Sequence, residues 1–137
     1  MYLVDTSVWI SYLQGHDSEA PALLDKLLDN PLAVGINHQI YLEILQGAKD
    51  EKAFGKLDSY FCGQRFHDFN DAAVSYREAA RIYFNCRRDG ITIRSSIDCL
   101  IAQCALENEL ILLHEDRDYL RMQAHIPNLR QQHFLQH

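Results

Sequence analysis

The chain has 137 residues, 47% of them hydrophobic, and a formal net charge of −6. That length and composition predict a single globular domain over residues 1–137. The net charge argues against a broad nucleic-acid-binding surface, since such binding neutralises phosphates with basic side chains, although bound cations and a local basic patch can replace global charge. No apolar run approaches the roughly 18 residues of a membrane span. Asp5 also interrupts the apolar start that a signal peptide needs, so we expect a soluble cytoplasmic protein.

Short strand-like segments and longer helix-like segments alternate along the chain. The first strand is predicted at 2–5, and Thr6 or Ser7 is the predicted N-cap of the first helix. Further helices are predicted at 19–29, from the cap Asn37 to Gly47, and at 50–61, 71–88 and 95–108. Further strands are predicted at 32–36, 65–69 and 110–114, with an edge strand at 133–136. This alternation predicts an α/β fold in which a mostly parallel sheet carries helices on both faces.

Four carboxylates occupy positions where such a fold gathers its functional groups. Asp5 ends the first strand within an otherwise uncharged run, and Asp116 follows the strand at 110–114. Asp98 lies in the first turn of a helix, and Glu43 lies among apolar neighbours in the middle of another. Each taken alone has an ordinary explanation as a solvated strand end, a helix cap or a surface charge. Together, with no lysine or arginine beside Asp5 or Glu43, they predict a cation site.

The chemistry of this predicted site follows from its ligands. Ligands that are all carboxylate oxygens suit hard divalent ions, Mg²⁺ or Mn²⁺, rather than zinc. Like charges within a few ångströms cannot all stay ionised without a cation, so we expect raised pKa values in the metal-free protein. A bound divalent ion lowers the pKa of a water and stabilises charge on a phosphoryl oxygen. Metal-assisted hydrolysis of a phosphodiester is therefore the predicted reaction class.

Three stretches of the chain carry a family resemblance. They are LVDTSVWI at the start, YLEILQGA in the first third, and SSIDCLIAQCALENELILLHEDRDY near the end. With them the chain resembles, over essentially its whole length, a PIN domain, and within that group the VapC ribonuclease toxins of bacterial type II toxin–antitoxin pairs. The resemblance implies a three-layer α/β/α fold with a mostly parallel central sheet of about five strands. It also implies a Mg²⁺- or Mn²⁺-dependent endoribonuclease that cleaves tRNA or another structured RNA.

Partners are implied by the same resemblance. A VapB-like antitoxin would neutralise the toxin, which would form a homodimer or a toxin–antitoxin hetero-oligomer. The segment KAFGKLDSYF, residues 52–61, is the best candidate to line a groove for an antitoxin helix.

The resemblance also implies roles for individual residues, which follow from their positions in the three motifs. Asp5, Glu43, Asp98 and Asp116 match the four catalytic, metal-binding acids of the family. Thr6 occupies the hydroxyl position after the first acid, where a hydroxyl helps to orient that acid or the substrate.

The last motif departs from the family pattern at one position. Where the family commonly has Thr or Ser two residues before the fourth acid, this chain has His114. His114 is a candidate contact for a substrate phosphate, or alternatively a half-buried structural imidazole. The departure makes the role of Asp116 less defined than that of the other acids. Asp118 is a candidate fifth carboxylate, either outside the metal's direct ligands or solvated.

Three arginines precede Asp98 in the segment NCRRDGITIR. Arg87, Arg88 and Arg94 are candidates to bind RNA phosphates beside the metal site and so offset the acidic net charge locally. The alternative for Arg87 and Arg88 is that they are solvated cations favoured by the dipole at a helix C-terminus.

Other function classes compete with a nuclease. A catalytically silent PIN-like module that acts through protein or RNA contacts would keep the acids for fold or partner contact. A phosphotransfer receiver domain expects paired acids after the first strand and a late lysine, whereas VDTS has one acid and no lysine follows Asp68. A haloacid-dehalogenase-type phosphatase expects an acid two residues after Asp5, where this chain has Ser7. The receiver domain and the phosphatase therefore fit the sequence poorly.

Overall fold

A parallel sheet flanked by helices forms the centre of the protein in the computed structural model, which describes residues 1–136. Its four strands are β1 (Tyr2–Val4), β2 (Val34–Gly35), β3 (Ile111–Leu113) and β4 (Arg130–Gln132). Their order is β2-β1-β3-β4, and every neighbouring pair is parallel. The predicted α/β class and parallel sheet are confirmed, with four strands within the described residues rather than about five.

Seven α-helices and one 3₁₀ turn connect the strands within the described residues. They are α1 (Thr6–Leu13), α2 (Glu19–Leu27), α3 (His38–Gln46), α4 (Glu51–Phe61), α5 (Ala72–Arg88), α6 (Ser96–Glu107), α7 (Arg117–Arg121) and the 3₁₀ turn Gln123–His125. The predictions of α1 to α6 are confirmed, including the Asn37 cap of α3, whose side chain accepts from the Ile40 N–H at 2.9 Å. No helix in residues 1–136 is long and apolar enough to cross a membrane.

Two predicted strands are corrected by the structure. Residues 65–69 form only a single bridge, between Phe66 and Ile36, because Asn37 begins α3 directly after Ile36 and turns the partner backbone away. The edge strand is Arg130–Gln132 rather than 133–136. Its ladder with β3 ends at the pair Leu113–Gln132, so residues 133–136 have no partner strand to extend it.

The N-cap of α1 is also different from the prediction. Asp5, rather than Thr6 or Ser7, caps the helix, and its side chain accepts a hydrogen bond from the Ser7 N–H at 3.0 Å. A carboxylate satisfies the free N–H groups of a first helical turn as well as a hydroxyl does and also interacts favourably with the helix dipole.

The order of the strands brings the two strand-end acids together. β1 lies between β2 and β3, so the chain reverses its direction of travel across the sheet at β1. Leu3, Val4 and Leu113 are fully buried, and the Asp5 N–H donates to the carbonyl oxygen of Leu113 at 2.9 Å. The carboxyl ends of β1 and β3 are therefore adjacent, at the position where open α/β sheets place their functional groups.

Candidate metal centre

Carboxylates from four separate elements face one site at the carboxyl ends of β1 and β3. Asp5 follows β1, Glu43 lies in the middle of α3, Asp98 lies in the first turn of α6, and Asp116 follows β3. The charges on Asp5, Asp116 and Glu43 each raise the pKa of Asp98. The structure thus brings together the four acids that the sequence predicted for the site.

Asp5 is held in place from two sides. Its Oδ1 accepts from the Tyr119 hydroxyl at 2.7 Å, and its Oδ2 accepts from the Ser7 hydroxyl at 2.6 Å and from the Ser7 N–H. The Asp5 side chain is buried, and these donors offset part of the cost of removing a carboxylate from water. Asp5 therefore has a fixed orientation before any ligand binds.

Glu43 is oriented by the residue that follows Asp5. The Thr6 hydroxyl donates to Glu43 Oε1 at 2.8 Å, so Thr6 orients the second acid of the family pattern rather than the first. Burial raises the pKa of Glu43; the Thr6 hydrogen bond lowers it in part, and the charges on Asp5 and Asp116 raise it further. The net shift is upward, which marks Glu43 as a carboxylate that lacks a positive partner.

Asp98 is the acid whose pKa shows most clearly that its charge lacks a positive partner. Burial raises its pKa, repulsion from Asp5, Asp116 and Glu43 raises it further, and the result is a pKa of about 8. The Asp98 side chain is buried, so water screens little of this repulsion. At neutral pH the metal-free protein therefore keeps a proton on Asp98.

His114 fixes the position of Asp116 through a hydrogen bond to its backbone. Its ring is fully buried, its Nδ1 accepts from the Asp116 N–H at 3.2 Å, and its Nε2 lies 2.8 Å from the side-chain oxygen of Gln131. Burial lowers the pKa of His114, which keeps the imidazole neutral, with its proton on Nε2. Both ring nitrogens are already bonded inside the protein, which favours the predicted alternative of a structural imidazole over contact with a substrate phosphate.

Asp118 is a buried anchor for two arginines. Its Oδ2 accepts from the Arg94 N–H at 3.1 Å and from Arg94 Nε at 3.2 Å, and its Oδ1 pairs with Arg121. Burial raises the pKa of Asp118, but the hydrogen bonds from Arg94 and Arg121 outweigh it, and the pKa is lowered. The Asp118 side chain is fully buried, which excludes the solvated alternative.

Of the three predicted arginines, the structure brings only Arg94 to the acids. Arg94 Nη2 donates to Asp116 Oδ1 at 3.1 Å, and the Arg94 side chain is 71% exposed. Arg87 and Arg88 lie in the last turn of α5, where their guanidinium groups pack over the rings of Tyr83 and Phe84. Neither of them pairs with an acid within residues 1–136.

The donors at this site fit a hard divalent cation. Oxygen atoms of Asp98, Asp116 and Asp118 lie within 4.8 Å of one another, a spacing that one ion can bridge. Asp118 already holds two arginines, whereas Asp98 and Glu43 have raised pKa values and no cationic partner among the described residues. Asp98, Asp116, Asp5 and Glu43 are therefore the acids whose charges a cation would neutralise.

Four residues that build the site were missed or left undefined by the sequence reasoning. Tyr119 and Ser7 orient Asp5, Arg121 holds Asp118, and Asp118 holds Arg94. Their common signal is that all lie within a few residues of a predicted strand-end acid or its motif. A carboxylate at a strand end needs donors, so these neighbouring residues are candidates, but the sequence does not indicate which donor meets which carboxylate.

Comparisons with known proteins agree with this geometry. The profile of the PIN domain family matches residues 2–124. VapC ribonuclease Mb1587 of Mycobacterium bovis and ribonuclease VapC11 of Mycobacterium tuberculosis are each 36% identical over 131 residues, which cover 95% of this chain and 96% of theirs.

Solved structures share the fold at lower identity. In the structure of VapBC2 from Rickettsia felis bound to a promoter DNA fragment, the matched chain has a TM-score of 0.72, 19% identity, and 98% coverage of both chains. In VapBC-1 from nontypeable Haemophilus influenzae, the TM-score is 0.72, the identity 18% and the coverage 96% of both chains. The sequence match over nearly the whole length, together with this fold, shows that the chain belongs to the PIN domain family and, within it, to the VapC ribonucleases.

Proposed function

We propose that the protein is an endoribonuclease toxin that depends on Mg²⁺ or Mn²⁺ and is neutralised by a VapB-like antitoxin. The observation that carries the proposal is the uncompensated acid cluster, in which repulsion and burial raise the pKa of Asp98 to about 8. Burial and mutual repulsion make such a site costly, and a bound cation relieves the repulsion. The similarity to proteins named VapC ribonucleases supports RNA as the substrate.

The metal ligands in this proposal are Asp5, Glu43, Asp98 and Asp116. A bound divalent ion would supply activation of a water and stabilisation of negative charge on the phosphate. Tyr119 fixes the orientation of Asp5 through its hydroxyl.

Three further residues act on these ligands or on the substrate. Thr6 orients Glu43, and His114 fixes the backbone at Asp116. Arg94 lies beside Asp116 with an exposed guanidinium group, so it can leave that carboxylate and bind a phosphate of the RNA when a cation takes its place.

The proposed substrate is tRNA or another structured RNA, and the proposed location is the cytoplasm, where such RNA is found. For the antitoxin, the exposed side chains of Phe54 and Tyr60 on α4 support residues 52–61 as one wall of its groove. Homodimers or toxin–antitoxin hetero-oligomers are the proposed assemblies.

The test is cleavage of a total tRNA pool by purified protein, with Mg²⁺, with Mn²⁺ and with EDTA. Asp98→Asn removes one ligand while keeping the shape of the side chain. Asp17→Asn is the matched control, since Asp17 is an exposed acid in the loop between α1 and α2. We expect discrete fragments from the wild type and the control only when metal is present, and none from Asp98→Asn. Equal cleavage by Asp98→Asn would contradict the metal assignment, and a folded protein that binds metal but cleaves no RNA would favour a silent binding module.

A further inference from the structure

The C-terminal half of α5 carries a basic and aromatic face. Arg81, Phe84 and Arg88 follow each other at spacings of three and four residues, which places them on one side of the helix. The guanidinium carbons of Arg81 and Arg88 lie 5.5 Å and 5.7 Å from the centre of the Phe84 ring, and the Phe84 side chain is 40% exposed. Arg87 lies over the neighbouring Tyr83 ring at 5.9 Å. Arg81, Phe84, Arg87 and Arg88 are named here the arginine–phenylalanine face.

This face is a local exception to the acidic charge of the chain. The chain as a whole has 13 basic and 19 acidic residues, whereas α5 carries four arginines and a single acid, Glu78. Glu78 lies beside Arg77 at 3.5 Å, which leaves the arginines of the face without a carboxylate partner within residues 1–136. The helix dipole accounts for Arg87 and Arg88 in the last turn, but not for Arg81 one turn earlier.

The face continues into the candidate metal centre. Gly90, with a φ of +77°, turns the chain directly after α5. The next residues line an open cleft of about 560 Å³ whose other walls are Arg94 and Arg121. The same two arginines line a second cleft, of about 490 Å³, beside Asp116. Arg94 and Arg121 therefore line both clefts, which together connect the acids to the end of α5.

An acid beside this path lies towards the 3₁₀ turn. Asp89 follows Arg88 in the chain, and its Oδ2 lies 2.7 Å from Nε2 of His125. Within residues 1–136, Asp89 pairs with none of the arginines of the face.

We propose that a single-stranded part of the RNA substrate extends from the acids along this path and lies on the arginine–phenylalanine face. Guanidinium groups pair with phosphates through charge-assisted hydrogen bonds, and an exposed aromatic ring stacks with an unpaired base of any sequence. Along α5 one arginine therefore precedes the exposed ring and another follows it. This order suits a strand that offers phosphates and bases in turn. This inference rests on the proposed function and adds where the RNA lies beyond the cleaved bond.

The test measures RNA binding apart from cleavage. The Asp98→Asn protein, with Mg²⁺ present, is titrated against a fluorescently labelled RNA hairpin with a single-stranded extension, and anisotropy is recorded at several salt concentrations. In this background we compare Arg88→Gln and Phe84→Leu with the control Lys26→Gln. Lys26 is exposed on α2, which packs against α1. Circular dichroism and thermal unfolding establish that each variant is folded.

The two α5 variants are expected to weaken binding in different ways. Arg88→Gln removes one phosphate contact, so the slope of log K against log salt concentration should fall in magnitude by about 0.7. Phe84→Leu removes a stacking surface, so affinity should fall about tenfold with the salt slope unchanged. Lys26→Gln should change neither quantity.

Other outcomes overturn this inference or separate it from the proposed function. Binding by both α5 variants that equals that of Lys26→Gln would overturn it, even if the wild type cleaves RNA. A change of oligomeric state in both variants, seen by light scattering, would also overturn it and assign the face to self-association. Loss of binding in the variants supports it even if the wild type cleaves no RNA, since that second result contradicts only the proposed nuclease activity.

Discussion

Replacing Asp98 by asparagine should stabilise the metal-free protein by an amount that grows with pH. Asp98 has a pKa of about 8 in the folded protein, against an ordinary value of 3.8. A carboxyl with a raised folded pKa holds its proton more tightly in the folded state than in the unfolded state. The stability that this proton confers is complete at low pH and is lost as the pH rises through the folded pKa. The asparagine side chain cannot ionise, so the variant avoids this loss.

The size of the effect follows from the same pKa. While the folded protein holds one more proton than the unfolded chain, the free energy of unfolding falls by about 1.4 kcal/mol per pH unit. The window runs from about pH 4 to about pH 8. Between pH 5 and pH 7 the wild type should therefore lose about 3 kcal/mol relative to Asp98→Asn.

Urea unfolding at pH 5, 6 and 7 in EDTA measures this difference. Titratable groups distant from Asp98 are present in both proteins, so their contributions cancel in the comparison. Asp17→Asn is the control and should follow the wild type. A free energy of unfolding for Asp98→Asn that keeps a constant offset from the wild type across this range would refute the reasoning, since it would mean that Asp98 ionises as an ordinary surface acid.

Three further substitutions test contacts that hold the site residues or the sheet in place. Tyr119→Phe removes the donor to Asp5 Oδ1 and should lower the free energy of unfolding by about 1–3 kcal/mol, with cleavage reduced more than in a Tyr76→Phe control on exposed α5. Arg121→Gln should cost about 1–3 kcal/mol at pH 7 by uncovering the buried Asp118 carboxylate. It should cost almost nothing in an Asp118→Asn background, and an equal loss in both backgrounds would show that the two side chains are not coupled. Gly35→Ala should destabilise by about 1–3 kcal/mol, because the added methyl would overlap a buried histidine ring; unchanged urea unfolding would contradict the close approach.

Much of the fold and the acid cluster could be predicted because local signals and global topology agree. Asp5 stands out as a charge at the end of an apolar strand, and Glu43 as one inside an apolar helix face. The parallel register of β1 and β3 places Asp5 and Asp116 at neighbouring strand ends. These positions are visible because each breaks a hydrophobic pattern that the chain otherwise keeps.

The remaining features depend on contacts that span the chain and leave no local signal. Tyr119 and Asp5 are 114 positions apart, and nothing near either one indicates which hydroxyl meets which carboxylate. The sequence leaves His114 with two interpretations, a phosphate contact or a structural imidazole, and its buried contacts with Asp116 and Gln131 favour the structural one. The predicted strand at 65–69 is wrong for the same reason. That segment has strand-like composition, but its partner strand turns away after one bridge.

The central claim, that the acid cluster is built to hold a divalent cation, is tested most directly by counting the protons released when Mn²⁺ binds. Calorimetric titrations at pH 7 in buffers of different ionisation enthalpy give this number. Binding should displace the proton that Asp98 holds, because a ligand carboxylate must be ionised. We predict release of about one proton per ion at pH 7, falling towards zero above the pKa of about 8, and neither binding nor release in Asp98→Asn. Absence of Mn²⁺ binding to the wild type, or binding that releases no proton at pH 7, would contradict the account.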